Sequence, residues 1–379
     1  MDVPDTLTNH RFRHQAAYAA KFFSRLVNYD WSRGRANTEA DLSIDRLRSK
    51  KYLLTELHST LLPLLRQHII AISRALGDSN GWRLNPTLTL ELVIEIQPKL
   101  ELTLDRTICA IHDIIPGSRY KKTLTNDQHF KELKRYIIRG LDRSFGNELN
   151  YHLDRFFSEC RWVMESRMLS ANRHPSAPFV DEVLQSIESV ISWSKGSDSQ
   201  QIYNQWQLAA ECINRALDDA FSVTQLNEGR ISQSVIKLTQ SLIPVVKLSS
   251  LFFNKVSTNG MAKSKPPFFT EMTSHQLTSM EESVNKIADH AISLIPCLRF
   301  TGENQQVPIA TNYCEHVESL LSCLQSCLLL VDLYILPRCT QTNGCSSQTC
   351  LKTWLVTWNT MFSEATNNAT EACQSFEME

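Results

Sequence analysis

Apolar residues recur at steps of three and four positions along nearly the whole chain, which is the spacing of one face of an α-helix. The longest regular run lies between residues 54 and 76 and consists of Leu54, Leu57, Leu61, Leu65, Ile69, Ile72 and Leu76. The 379 residues include only 11 glycines. A sandwich, a barrel or a nucleotide-binding α/β fold needs more glycine in its turns and phosphate loops. The sequence therefore predicts an all-α fold.

Four C-terminal segments show a stricter pattern in which steps of three and four alternate. They are 231–245, 277–294, 313–334 and 351–365. This heptad-like spacing makes helices pack side by side at shallow angles, and the turns between the segments favour an antiparallel bundle over one long coiled coil.

The length predicts two such bundles in tandem, because domains usually span about 100–200 residues. We place the boundary in the stretch 173–178, which contains two prolines with Ser-Ala between them. The prediction is thus an N-terminal bundle over 1–175 and a C-terminal bundle over 176–379. Asn-Gly and Pro-Pro pairs within 257–272 predict a flexible linker inside the second bundle.

Several local signals predict where helices begin, bend or end. Pro63 lies inside an apolar helical pattern and is expected to bend that helix. The helical stretch 125–168 is expected to be interrupted near Gly140 or Gly146. Ser274 is the predicted N-cap of the helix that follows the linker.

The charge balance bears on partners and location. The net charge is −1, which argues against a general nucleic-acid coat, and we expect no specific nucleic-acid binding. Residues 1–175 carry 27 Lys and Arg against 20 Asp and Glu, whereas 176–379 carry 12 against 20.

The start of the sequence lacks the apolar core of a secretory signal. Polar residues interrupt the apolar window 320–336, which favours a buried bundle helix over a membrane span. We expect a cytoplasmic or nuclear protein.

The common catalytic and phosphate-binding motifs are missing. The sequence contains no GxxxxGK[ST], GxGxxG, GxSxG or HExxH. We therefore predict a non-enzymatic protein without a cofactor. An all-α enzyme with no recognisable motif remains an alternative, and it would need a pocket with convergent carboxylates or histidines.

Cysteine is concentrated near the C-terminus, where eight of the 11 cysteines lie between Cys297 and Cys373. The candidate metal ligands are Cys314, His316, Cys339, Cys345 and Cys350. Their types suit zinc, but their spacing lacks the tight paired arrangement of known zinc sites. A cysteine-based zinc-binding or redox-responsive helical protein is thus an alternative function.

Two features are candidates for binding partners. The first is a basic stripe in which Lys131, Arg135, Arg139 and Arg143 share one helix face at intervals of four, with Lys134 beside them in sequence. It suits a phosphate-bearing or acidic partner, or it is an ordinary solvated helix face. The second is the pair Trp354 and Trp358, one turn apart, which anchors a partner groove or belongs to the bundle core.

The C-terminal half also resembles a known family. The matching segments are LIPVVKLSSLFFNKVS (242–257), HQLTSMEESVNKIADHAISLI (275–295), CEHVESLLSCLQSC (314–327) and CLKTWLVTWNTMFSEA (350–365). Over about residues 230–375 they resemble the C-terminal bundle of the GCIP family, named for interaction with an adaptor protein and a D-type cyclin. The resemblance implies an all-helical, non-enzymatic protein of the nucleus or cytoplasm that binds other proteins, with a cyclin-like partner among them. In animal members it implies helix–loop–helix-type pairing and restraint of cell-cycle transcription.

Overall fold

The computed structural model describes residues 3–29, 31, 43–115, 126–169, 178–226, 233–258, 269–295, 310–338 and 347–377. All regular structure in these ranges is helical, and none of them contains a β-strand. The predicted all-α fold is confirmed.

Thirteen α-helices are present in the described ranges. The first eight are α1 (Val3–Val27), α2 (Ile44–Glu56), α3 (Leu62–Gly77), α4 (Ser79–Leu84), α5 (Pro86–Ile114), α6 (Arg135–Arg143), α7 (Asn150–Leu169) and α8 (Asp181–Lys195). The other five are α9 (Asp198–Leu226), α10 (Gln233–Val256), α11 (Ser274–Ser293), α12 (Ala310–Leu330) and α13 (Ser347–Glu377). Short π-helical turns continue α2, α6 and α12 over Leu57–Leu61, Ser144–Leu149 and Val331–Ile335.

The apolar periodicity of the sequence corresponds to buried faces. All seven apolar residues of the run between Leu54 and Leu76 are at most 2% exposed. Along α11 and its C-cap residue Leu294, the six apolar residues at steps of three and four from Leu277 to Leu294 are fully buried. Burial of each such side chain contributes roughly 1.5–3 kcal/mol, so these seams stabilise the helices far more than intrinsic helix propensity does.

Contacts divide the chain into two compact units. The first comprises Met1–Leu124 and Glu132–Gly196, and the second comprises Thr125–Lys131 and Ser197–Glu379. Helix α8 belongs to the first unit because it packs against α6, α7 and the π turn between them. The sequence-based boundary at residue 175 instead groups α8 with the C-terminal half, and the domain division itself stays a prediction.

Within the first unit, α1 packs along α7 and α3 packs along α5. Polar groups link these helices at buried positions. The Gln97 amide donates to the carbonyl oxygen of Ala19 at 3.2 Å, and the Trp31 indole N–H donates to the Asp154 carboxylate at 3.1 Å. Burial raises the pKa of Asp154, and the bond from Trp31 partly opposes that rise.

Two prolines are accommodated by π turns. Proline lacks an N–H, and its ring clashes with the carbonyl four residues earlier. Pro63 and Pro337 each follow a π turn by two residues, so the affected carbonyl lies in the middle of the wider turn in both cases. The bend expected at Pro63 therefore takes the form of one widened turn between α2 and α3.

The second unit is a closed ring of five helices in the order α9, α10, α13, α12 and α11, in which each helix packs against the next and α11 packs against α9. Contacts define the helix directions. Asn214 of α9 meets Ser250 of α10, and the Trp358 indole of α13 donates to Leu248 of α10. Four neighbouring pairs are antiparallel. In a closed ring of five helices, the neighbouring pairs cannot all be antiparallel. The parallel pair here is α9 with α11.

Two buried aspartates lie where the parallel pair begins. The Asp198 carboxylate accepts hydrogen bonds from the Thr270 N–H and hydroxyl, each at 2.9 Å. The Asp127 carboxylate accepts from the N–H of Ser274 at 2.8 Å and from its hydroxyl. Helix N-termini carry partial positive charge, and two of them at one end repel each other. The two carboxylates stabilise this arrangement.

The start of α11 differs from the sequence prediction by one residue. Thr273 is the N-cap and forms a reciprocal capping box with Gln276, whereas Ser274 is the first helical residue. The preceding Thr270 and Met272 are buried, so the end of the predicted flexible linker is fixed by hydrogen bonds and packing. Residues 259–268 of that linker lie outside the described residues.

Neither glycine expected to interrupt the 125–168 stretch breaks a helix. Gly140 lies inside α6, where the Trp193 ring of α8 packs directly on its Cα, and Gly146 lies in the π turn that continues into α7. A Cβ at Gly140 would meet the Trp193 ring at 2.2 Å, but at Gly146 the nearest atom is 4.0 Å away. Of these two glycines, Gly140 is the one whose missing Cβ is required for close packing.

We predict that Gly140→Ala lowers the free energy of unfolding by about 1–3 kcal/mol, because the clash with the rigid Trp193 ring outweighs the gain in helix propensity of about 1 kcal/mol. Urea unfolding of the full chain measures this loss. Gly146→Ala is the matched control, and we expect it to leave stability unchanged or raise it by up to about 1 kcal/mol. Equal effects of the two substitutions would contradict the packing at Gly140.

Candidate functional site

Three of the five residues of the predicted basic stripe lie on one helix. Arg135, Arg139 and Arg143 follow one another at intervals of four along α6, and the latter two are exposed. The opposite face of α6 buries Tyr136 and Ile137. The binding role of these arginines stays a prediction.

The other two residues of the stripe do not extend this face. Lys134 is fully buried and precedes the first residue of α6, so its ammonium is not available on the surface. Lys131 lies within the 3₁₀ turn Gln128–Leu133 and has a φ of 51°, which is not helical. Lys131 and Arg135 are therefore not on one continuous helix face. Lys131 also belongs by its contacts to the second unit. The predicted continuous stripe from Lys131 to Arg143 is therefore wrong, because the backbone changes direction at Lys131.

The candidate metal ligands are only partly described. Cys339 and Cys345 lie outside the described residues. Cys314 and His316 are half-buried on α12, and Cys350 is exposed in the first turn of α13. Within the described ranges, no three or more His, Cys, Asp and Glu side chains are grouped to hold a metal ion. The cysteine-based alternative stays a prediction.

Two thiols of α12, those of Cys323 and Cys327, are poorly suited to redox chemistry or metal binding, which require the thiolate. Burial raises the pKa of Cys327 to about 12, and the neighbouring Cys323 adds to the rise. Burial also raises the pKa of Cys323. Both side chains are thus protonated at neutral pH and act as small apolar residues.

Trp358 is a core residue of the second unit. It is 2% exposed, and its indole N–H donates to the carbonyl oxygen of Leu248 at 2.9 Å. Its ring lies 4.9 Å from that of Phe252 and 5.0 Å from that of Phe362. A partner cannot contact this ring while the helices are packed, so of the two alternatives left open for the pair, Trp358 fits the bundle core and not the partner anchor.

Trp354 lies one turn earlier on α13 and is half-buried. Its ring stacks on Trp358 with a centroid distance of 6.4 Å, and the Lys255 ammonium of α10 lies 5.9 Å from its centroid. A half-exposed indole beside a cation remains available to a partner at its outer edge.

An open groove lies between α10 and α13. Its volume is about 220 Å³, and it is lined by Ser241, Pro244, Leu248, Met361, Glu364, Ala365 and Asn368. Met361 is 51% exposed although it follows the buried Trp358 by only three residues. Pro244, inside α10, has no N–H to bond the carbonyl of Gln240. Sequence reasoning missed this groove, although a proline within an apolar helix was a visible signal.

Among the described residues, two helices are long and apolar enough to cross a membrane by length and composition alone. They are 236–256 and 312–335, with mean hydropathies of 1.2 and 1.4, and 56% and 28% of the respective windows are buried within the protein. Core helices of soluble proteins meet the same criteria. The prediction of a buried bundle helix over 320–336 therefore stays a prediction.

Comparison with known proteins gives two family matches. A family described as a domain of unknown function, DUF8721, matches residues 176–371, which is just over half of the chain. A second domain of unknown function, DUF8723, matches residues 50–195. Both matches include α8. No curated protein and no solved structure matches the chain.

We predict that the two tryptophans differ sharply in their contribution to stability. Trp358→Ala removes a buried ring and its hydrogen bond and should lower the free energy of unfolding by about 3–5 kcal/mol. Trp354→Ala should cost about 1 kcal/mol, because much of that ring is already in water. Urea unfolding of the full chain measures both losses, and similar losses would contradict the assignment of Trp358 to the core.

Proposed function

Because the chain belongs to the DUF8721 family of domains of unknown function, we propose from its structure that it is a non-enzymatic protein-interaction module. The proposed docking site is the groove between α10 and α13, and the proposed ligand is an amphipathic helix of another protein.

The observation that supports this proposal is the exposure of Met361 in a groove between two helices. Helices that bind in grooves present apolar side chains at intervals of three and four residues. A methionine side chain is flexible and polarizable, so it adapts to such side chains. Leu248 and Pro244 supply rigid apolar surface on the opposite wall.

The length and charge of the surface define the partner further. The groove wall on α13 extends from Met361 to Asn368, which is about 10 Å at about 1.5 Å per residue. About two turns of a partner helix match this length. The Glu364 carboxylate lines the groove and is exposed. We therefore expect the partner helix to carry a Lys or Arg beside its apolar face.

The cellular role proposed for this module is regulation of the cell cycle or of transcription, in the nucleus or the cytoplasm. The support for it is the resemblance of residues 230–375 to the C-terminal bundle of the GCIP family. A cyclin-like protein is one partner that this resemblance suggests.

The proposal predicts that Met361→Glu weakens partner binding by roughly 30-fold, because it places a second carboxylate beside Glu364 in an apolar groove and removes a contact of about 2 kcal/mol. Affinity purification from the native cell, with the full chain as bait, identifies the partner. A photo-crosslinking residue at position 361 then shows whether the captured segment is an amphipathic helix with a basic residue.

Two controls separate the groove from other surfaces. Val356→Glu changes a residue of α13 that is 70% exposed and does not line the groove, and it should leave binding unchanged. Arg139→Glu tests the predicted basic face in the same assay. Full recovery of the partner with Met361→Glu, together with its loss with Arg139→Glu, would contradict the groove as the docking site.

A further inference from the structure

Two histidines of the second unit approach each other closely between α11 and α12. His290 lies in the last turn of α11, and His316 lies in the second turn of α12. Their Nδ1 atoms are 3.1 Å apart, and their ring centroids are 5.3 Å apart. Both side chains are half-buried. At the opposite end of this helix pair, Gln276 donates to the Tyr334 hydroxyl at 2.7 Å, so the helices are held antiparallel.

We propose that His290 and His316 bind a divalent transition-metal ion such as Ni²⁺ or Zn²⁺ through their two Nδ1 atoms. Imidazole nitrogens bind such metals at about 2.0–2.1 Å, and two of them on one tetrahedral or octahedral metal lie about 2.9–3.4 Å apart. The observed spacing of 3.1 Å is within this range. The half-exposed position leaves room for water molecules to complete the coordination.

Metal binding at this pair requires a change of tautomer and a rotation of the rings, so that both Nδ1 lone pairs point at one metal ion instead of at each other. Without metal, one Nδ1 carries the shared proton and donates it to the other Nδ1, whose lone pair accepts. When the metal binds, both Nδ1 lone pairs face it, and the shared proton moves through water to Nε2 of the same ring. Each ring remains neutral, so no net proton is released.

The cysteine of α12 nearest to the pair in sequence does not belong to the site. Cys314 precedes His316 by two residues, and at about 100° per residue it lies about 200° around the helix. Within the described residues, no three or more His, Cys, Asp and Glu side chains are grouped to hold a metal ion. The proposed ligand set is two nitrogens and water, which differs from a closed structural zinc site of four protein ligands. Such a site binds metal reversibly and links α11 to α12 when occupied.

Thermal unfolding of the full chain tests this proposal. The chain is first stripped of metal and is then given Ni²⁺ as the only added metal. At a Ni²⁺ concentration of about 100 Kd, the melting temperature should rise by roughly 5 °C. His290→Asn and His316→Asn should each abolish the rise. His275→Asn is the matched control, because His275 is an exposed histidine of the same helix, and it should retain the rise.

Two further measurements keep the test decisive. Circular dichroism and unfolding without metal show whether each variant folds, so that loss of the rise is not confused with loss of structure. The visible spectrum with Co²⁺ should lack a sulfur-to-cobalt charge-transfer band. The proposal is overturned if the wild-type chain shows no rise, if His290→Asn or His316→Asn retains it, or if the sulfur band dominates.

Discussion

The parallel packing of α9 and α11 is the constraint on which the second unit depends. Five helices cannot close a ring with every neighbouring pair antiparallel, so two neighbouring helices must begin at the same end. The resulting positive charge is met by the buried carboxylates of Asp198 and Asp127, which accept hydrogen bonds from backbone N–H groups and hydroxyls at this end. Asp127 comes from Thr125–Lys131, a segment distant in sequence that packs with this unit.

Ring closure also determines where functional groups can lie. It places α10 beside α13, and the groove with Met361 lies between them. On the other side of α13, α12 packs against α11 and brings His316 to His290. The proposed docking site and the proposed metal site thus lie between different helix pairs of one ring. Both require that the ring be closed, but neither uses residues of the other.

The sequence predicted the helices well because their stability depends on repeated apolar contacts that periodicity reveals. The seam from Leu277 to Leu294 is buried as expected. Features that depend on tertiary contacts could not be predicted from the sequence. The burial of Lys134 follows from a change of backbone direction at Lys131, and the approach of His290 to His316 follows from ring closure. Pro244 was visible in the sequence, but the groove beside it depends on how closely α13 packs.

A double-mutant cycle of Asp127→Ala and Ser274→Ala tests the central claim most directly. The free energies of unfolding of the full chain, both single variants and the double variant are measured in urea, and the cycle isolates the pairwise coupling. Hydrogen bonds to a buried carboxylate predict a coupling of about 1–3 kcal/mol. A coupling of zero within error would show that Asp127 does not stabilise the start of α11, and it would contradict the account of the parallel pair.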